Sequence, residues 1–276
     1  MRMILIHGIN QQGKSAEMIL KAWVDRLHQT YAAHGPNPLG RLSKVEAAFY
    51  GDTLEALSSA TFKDQAIALG TELTADDFDE FAVEAMKDIA LRLGLDPAKI
   101  PAADGTIVVP QGAGINKEWL KALARAIEAV SPLHGTLALR VLGQAHAYIR
   151  NQHIHDEVNK RVRPLFEDDE PMIVVSHSLG TIVAYSLLRE FARNNRPRQS
   201  PLLVTLGSPL GIDSVRKGFA KPRIRPANVQ RWVNGADPED FVALRAELTS
   251  DTFGSGIENY ADIDNGYDDP HDILQY

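Results

Sequence analysis

Apolar and polar positions along this chain alternate in two periods. Short apolar, largely β-branched runs at residues 3–7, 45–50, 172–176, 202–206 and 229–234 are bounded by turn residues, the pattern of buried strands. Between most of them apolar residues recur at helical spacing. That order predicts parallel strands joined by crossover helices, an α/β core. In the first crossover Ile19, Trp23, Leu27 and Tyr31 fall four apart on one face, with Ser15 as cap and Gly35-Pro36 as stop.

After Tyr50 the alternation is interrupted, and residues 52–170 read mostly as helix. Thr74 and Asp77 form a capping-box pair, Phe78, Phe81, Ala82, Ala85 and Ile89 follow at helical spacing, and Gly94 ends the segment. Residues 117–130 and 137–165 predict further helices, and the Gly-, Ala- and Pro-rich residues 101–114 predict a loop. The expected organisation is an α/β core from residues 1–51 and 171–276, with a helical insertion at 52–170 as a possible cap or lid. Residues 132–149 are the most apolar helical stretch, but His134, Arg140 and His146 interrupt it, so it reads as a core or cap helix and not a membrane span.

Composition narrows the picture little. A chain of 276 residues, 44% hydrophobic and 24% charged, has the make-up of an ordinary globular protein. Its net charge of -7 argues against a nucleic-acid groove, and the basic residues 189–198 and 216–225 read as solvated faces or loops. The absence of cysteine excludes a disulfide framework, a thiolate metal site and a cysteine nucleophile. With no secretory pattern at Met1 and no transmembrane segment, a cytoplasmic protein is expected.

Two stretches carry candidate chemistry. Residues 172–186 read MIVVSHSLGTIVAYS: an apolar strand, a tight turn and a helix, the setting of a nucleophile elbow with Ser178 at its apex. Small residues are needed on both sides of such a turn, and Ser176 and Gly180 supply them. Residues 4–15, ILIHGINQQGKS, admit two meanings. ILIHG is a strand end from which an oxyanion hole is built, whereas GINQQGKS satisfies the phosphate-cradling pattern GxxxxGK[ST].

On the strand, SHSLG and helix, the chain resembles the α/β-hydrolase superfamily, in particular lipases and esterases with a GHSLG-type elbow; Ser176 stands where glycine is commoner. The resemblance implies a triad in chain order Ser, Asp or Glu, His. His271 is the only histidine after Ser178 and suits the base. For the acid, the segment GADPEDFVAL after the strand at 229–234 resembles the family's N…DPxDxVA, which carries the role to Asp240, with Asp237 the alternative. The oxyanion donors would be the N–H groups of Ile9, or its rival Asn10, and of Leu179, while His7 would order the loop. Ser208 in TLGSPLG reads as a turn residue near the site, and residues 257–262 as a last strand before the base.

The implied activity is hydrolysis of a small-molecule ester, lipid-like or otherwise hydrophobic, through an acyl-enzyme. No metal or organic cofactor is implied. Two alternatives stand beside it. A P-loop nucleotide hydrolase would use Lys14 and Ser15, with Asp52 as its acid. A noncatalytic module of the same fold would bind a partner through the helical insertion.

Overall fold

The computed structural model describes residues 1–61, 75–100, 134–193, 198–243, 245–266 and 269–276, with scattered residues between 122 and 129. Strands β1 (Arg2–Ile6), β2 (Val45–Ala47), β3 (Met172–His177), β4 (Ser200–Leu206), β5 (Val229–Gly235) and β6 (Ile257–Tyr260) form a single sheet. Their order is β2-β1-β3-β4-β5-β6, and every neighbouring pair is parallel. The chain first steps from β1 to β2 on one side, then returns to place β3 on the other. The carboxyl ends of β1 and β3 therefore flank the point where the winding reverses, the position at which open α/β sheets leave a crevice.

Eight helices of the described chain flank the sheet: α1 (Ala16–His34), α2 (Gly51–Thr61), α3 (Ala75–Arg92), α4 (His134–Arg150), α5 (Gln152–Val162), α6 (Leu179–Arg193), α7 (Asp213–Lys217) and α8 (Ser250–Phe253). The expected first crossover is α1, where the Ser15 side chain accepts from the Met18 N–H and Gly35 closes the helix through Tyr31. Three expected boundaries differ, the last strand ending at Tyr260 and not at residue 262. The strand at 45–50 ends at Ala47, because Tyr50 is engaged elsewhere: its hydroxyl donates to the His7 carbonyl, and its own carbonyl accepts from Leu54 to open α2. The helix at 137–165 breaks at Asn151, whose side chain accepts from the Ile154 N–H at 3.1 Å and starts α5 as a cap. Thr74, residues 101–114 and most of 117–130 lie outside the described residues.

Side chains of β1 alternate between two cores, as the period of a strand dictates. Ile4 and Ile6 join a large cluster with Val174, Met86, Tyr148, Val158 and the α6 residues Ile182, Tyr185 and Leu188. Leu5 lies on the opposite face with Ile19 and Trp23 of α1, flanked by Ile273 and Leu274 from the C-terminal turn. Helices α3 to α5 thus share one apolar core with α6 and the sheet. Among the described residues no helix is long and apolar enough to cross a membrane.

Candidate active site

The register of the sheet delivers the candidate residues to one edge. Ile6 pairs with Ser176, His177 with Leu206, and Leu206 with Gly235, so β1, β3, β4 and β5 reach their carboxyl ends in line. Beyond that line the ladder continues for one step, with Ser178 N–H donating to Leu206 and Gly207 N–H to Gly235. Gly8, Ser178, Gly207 and the loop holding Asp237 and Asp240 all emerge there.

Ser178 occupies the single residue between β3 and α6 and has φ of 52°, the left-handed region that L side chains rarely adopt. Close packing maintains this conformation. A Cβ on Gly8 would lie 2.6 Å from the Ser178 Cβ, and one on Gly180 would collide with the carbonyls of Ile6 and His7. The helix can therefore begin against the end of β1 only because residue 180 lacks a side chain. Ser176 turns its hydroxyl across the sheet to the Val204 carbonyl at 3.0 Å. Thr181 donates to the Ser178 carbonyl at 2.7 Å and shares a 2.8 Å hydrogen bond with Ser208, which makes Ser208 a brace of the turn.

His271 reaches the serine from the C-terminal loop, with Nε2 2.9 Å from Ser178 Oγ. Its Nδ1 lies 2.9 and 2.8 Å from the two Asp240 oxygens. Because a carboxylate only accepts, Nδ1 carries the proton, and the bare Nε2 accepts from the Ser178 hydroxyl. Asp240 is almost fully buried and accepts further from the Val242 N–H at 2.8 Å and the Ala243 N–H at 3.3 Å. Burial by itself would raise its carboxyl; the His271 ring beside it, together with the hydrogen bonds from His271, Tyr276 and Val242, holds it below the usual carboxylate value.

Asp237 does different work. Its oxygens accept from the N–H groups of Glu239 at 2.6 Å and Asn265 at 2.7 Å, tying the loop after β5 to the segment that carries His271. Of the two candidate acids, only Asp240 meets the imidazole.

One contact was not anticipated from sequence. The hydroxyl of Tyr276 donates to Asp240 Oδ2 at 2.6 Å and accepts from the Asp237 N–H at 3.2 Å. Burial, followed by the Asp240 charge, pushes this phenol well above its ordinary value, so it stays a donor. A tyrosine near the end of DILQY has no spacing signal to mark it. His177, whose place in the turn gives no sign of this role in sequence, has its ring 4.7 Å from that of His271. Burial and then the neighbouring His271 lower its pKa to about 3, so it is neutral.

The β1 loop lies against the serine. His7 Nδ1 contacts the Gly8 carbonyl at 2.6 Å, and Nε2 accepts from the Tyr50 N–H at 3.2 Å. Those partners make His7 a neutral Nδ1–H tautomer that shapes the loop, and burial lowers its pKa to about 4. Ile9 is buried in the larger core, whereas Asn10 is exposed with φ of 59°. The N–H of Leu179, in the first turn of α6, has no acceptor within the helix.

The GINQQGKS residues are engaged in other ways. The Gly13 N–H donates to Asp52 at 2.6 Å, Lys14 Nζ to Gln11 at 2.9 Å, and the Ser15 hydroxyl is the α1 cap. A carboxylate thus sits on an N–H that a phosphate cradle would leave open. Comparison with protein-family models, curated proteins and solved structures gives no match.

Proposed function

We propose that the protein is a serine hydrolase of the α/β-hydrolase type that cleaves esters through an acyl-enzyme. The observation that carries this is the buried, directional chain from Asp240 through His271 to Ser178, on a serine held in a left-handed turn between strand and helix. Ser178 Oγ attacks the substrate carbonyl carbon while its proton passes to His271 Nε2. The Asp240 carboxylate holds the imidazolium, which then protonates the departing alcohol. Water, deprotonated by the same nitrogen, attacks the acyl-enzyme and releases the acid and Ser178.

The tetrahedral oxygen would accept from the N–H groups of Leu179 and Ile9. The contact of Gly8 with Ser178 brings the β1 loop within reach, and the buried anchor of Ile9 favours it over the outward Asn10. Burial of Ser178 and His271, with Phe241 at 5.9 Å from the imidazole, favours an apolar acyl group. Such a substrate reaches Oγ only when residues covering it are displaced. Helices α2 to α5 are the family's variable insertion in this reading. Their shared core with α6 supports a fixed wall more than a free lid. Nucleotide hydrolysis has less support, because Asp52, Gln11 and the cap role of Ser15 occupy the groups it requires.

Treatment with a fluorophosphonate, with and without magnesium and ATP, tests the proposal. Labelling at Ser178, abolished in Ser178→Ala and indifferent to nucleotide, is the expected result. No labelling, together with ATP binding that Lys14→Ala removes, would overturn it.

A further inference from the structure

Arg189, in one of the two most basic stretches of the sequence, meets the other, residues 216–225, on the flank of α6. Arg189 donates to the carbonyls of Ala220 at 2.6 Å and Pro222 at 3.2 Å, and its guanidinium lies 5.3 Å from the Tyr185 ring centre and 5.6 Å from that of Phe219. Arg223 donates to the carbonyls of Phe219 at 2.8 Å and Lys217 at 3.3 Å. These acceptors are neutral, so both guanidiniums are fixed in place with their charge uncancelled.

Arg193 follows Arg189 by one helical turn on the same face and has no hydrogen-bond or ion-pair partner among the described residues. Glu190, the one carboxylate on α6, is taken by Arg163 in a two-pronged pair of 2.7 and 2.6 Å. Burial lowers the pKa of Arg189, and the charges of Arg193 and Arg223 lower it further, so the three cations feel one another. Holding them together is unfavourable unless an anion joins them.

Arg189 and Arg193 open into a cavity of about 410 Å³ between α4, α5, α6 and residues 218–220. Tyr148, Ile149 and Phe219 form its apolar wall, and the Ser186 hydroxyl and the Glu190 carboxylate, paired with Arg163, are polar groups on it. We propose that this cavity binds the phosphoryl group of a small phosphorylated ligand, with Arg189 and Arg193 as its two-armed clamp. A dianion matches two uncancelled guanidiniums, where a carboxylate would neutralise one. The volume beyond the phosphoryl group accommodates a compact apolar or planar body. At the helical rise, Arg189 lies roughly 16 Å along α6 from Ser178, so the site is separate from the hydrolytic one.

Calorimetric titration of the whole protein with inorganic phosphate and pyrophosphate, at constant ionic strength and with acetate as the monoanion control, tests this. Saturable binding of both phosphates, weakened about tenfold or more in Arg193→Gln, is expected, since a charge-assisted hydrogen bond is worth at least that factor. Arg193 has no partner to lose among the described residues, so the variant should melt as the parent does; Arg189→Lys should also weaken binding by removing the planar fork. Unchanged affinity in Arg193→Gln, equal binding of acetate, or no saturable binding would overturn the proposal. So would a protein that ignores soluble phosphates but binds phosphatidylserine vesicles, which would make the basic flank a membrane contact. Ser178→Ala should leave phosphate affinity unchanged, which separates this test from that of the hydrolase.

Discussion

Two serines, one at the threshold of α6 and one within it, each meet a histidine: Ser178 with His271 at 2.9 Å, and Ser186 with His155 at 3.3 Å. Around the first pair every group has an assigned direction. The buried Asp240 accepts the hydrogen bond from Nδ1–H, two backbone N–H groups and Tyr276 hold that carboxylate, and the serine backbone is left-handed. Around the second, His155 faces an exposed Asp156 at 3.3 Å, and the Asn159 amide lies within 3.3 Å of both ring nitrogens. Its serine sits in ordinary helix. Proximity of serine and imidazole is common to both; a buried charge that selects the tautomer is not.

The largest expected effect tests that distinction directly. Asp240→Asn should lower kcat for a short-chain nitrophenyl ester by about 10³- to 10⁴-fold, the loss typical when the orienting carboxylate of such a triad is neutralised. Asp156→Asn should leave kcat within about twofold, as expected for an exposed acid outside the chemistry. Equal losses in steady-state kinetics would erase the difference between the pairs.

Acid should act next. The first pair stands beside His177 and His7, whose pKa values fall from 6.5 to about 3 and about 4 in the native state. Between those values and 6.5 the unfolded chain binds protons that the native one refuses, so stability rises with pH and is lost as pH falls below 6.5. Each histidine should remove about 1.4 kcal/mol per pH unit in that window. Urea unfolding at pH values from neutrality down to about 5 should reveal the slope, and His177→Asn should flatten it; an unchanged slope would mean that His177 becomes charged in the native protein.

Backbone strain offers a smaller but signed contrast. Ser178→Gly should be more stable than Ser178→Ala by about 1 kcal/mol, because both lack the hydroxyl and only glycine accepts the left-handed turn freely. At Ser186 the order should invert, with glycine about 1 kcal/mol less stable than alanine in the helix interior. Thermal denaturation of the four variants reads both signs.

Tyr276→Phe should have the smallest effect, a roughly three- to tenfold lower kcat, the worth of one hydrogen bond. In the proposed mechanism its hydroxyl orients Asp240 and takes no proton. A loss as large as that of Asp240→Asn would make the phenol a full member of the proton relay.

Much of this molecule is legible along the chain. Strand and helix periods, the elbow at Ser178 and the last histidine are local or ordinal features, visible because each depends on neighbours in sequence. The choice between Asp237 and Asp240 rests, in the sequence, on a resemblance alone. Both follow β5 closely, and only the folded loop shows that one binds the backbone of Glu239 and Asn265 while the other meets His271. The same limit applies to GINQQGKS: its pattern is met on paper, yet Asp52, distant in sequence, occupies Gly13.

The sequence by itself determined an α/β chain with parallel strands, a long helical interruption after β2 and a serine poised between strand and helix. Tertiary structure alone decided the strand order that puts β1 beside β3, the pairing of Tyr276 with Asp240, and the meeting of Arg189 with Ala220 and Pro222. The division has a physical cause. Periodicity and turn chemistry act over one or two turns of chain, whereas hydrogen bonds between distant loops depend on how the sheet orders its strands.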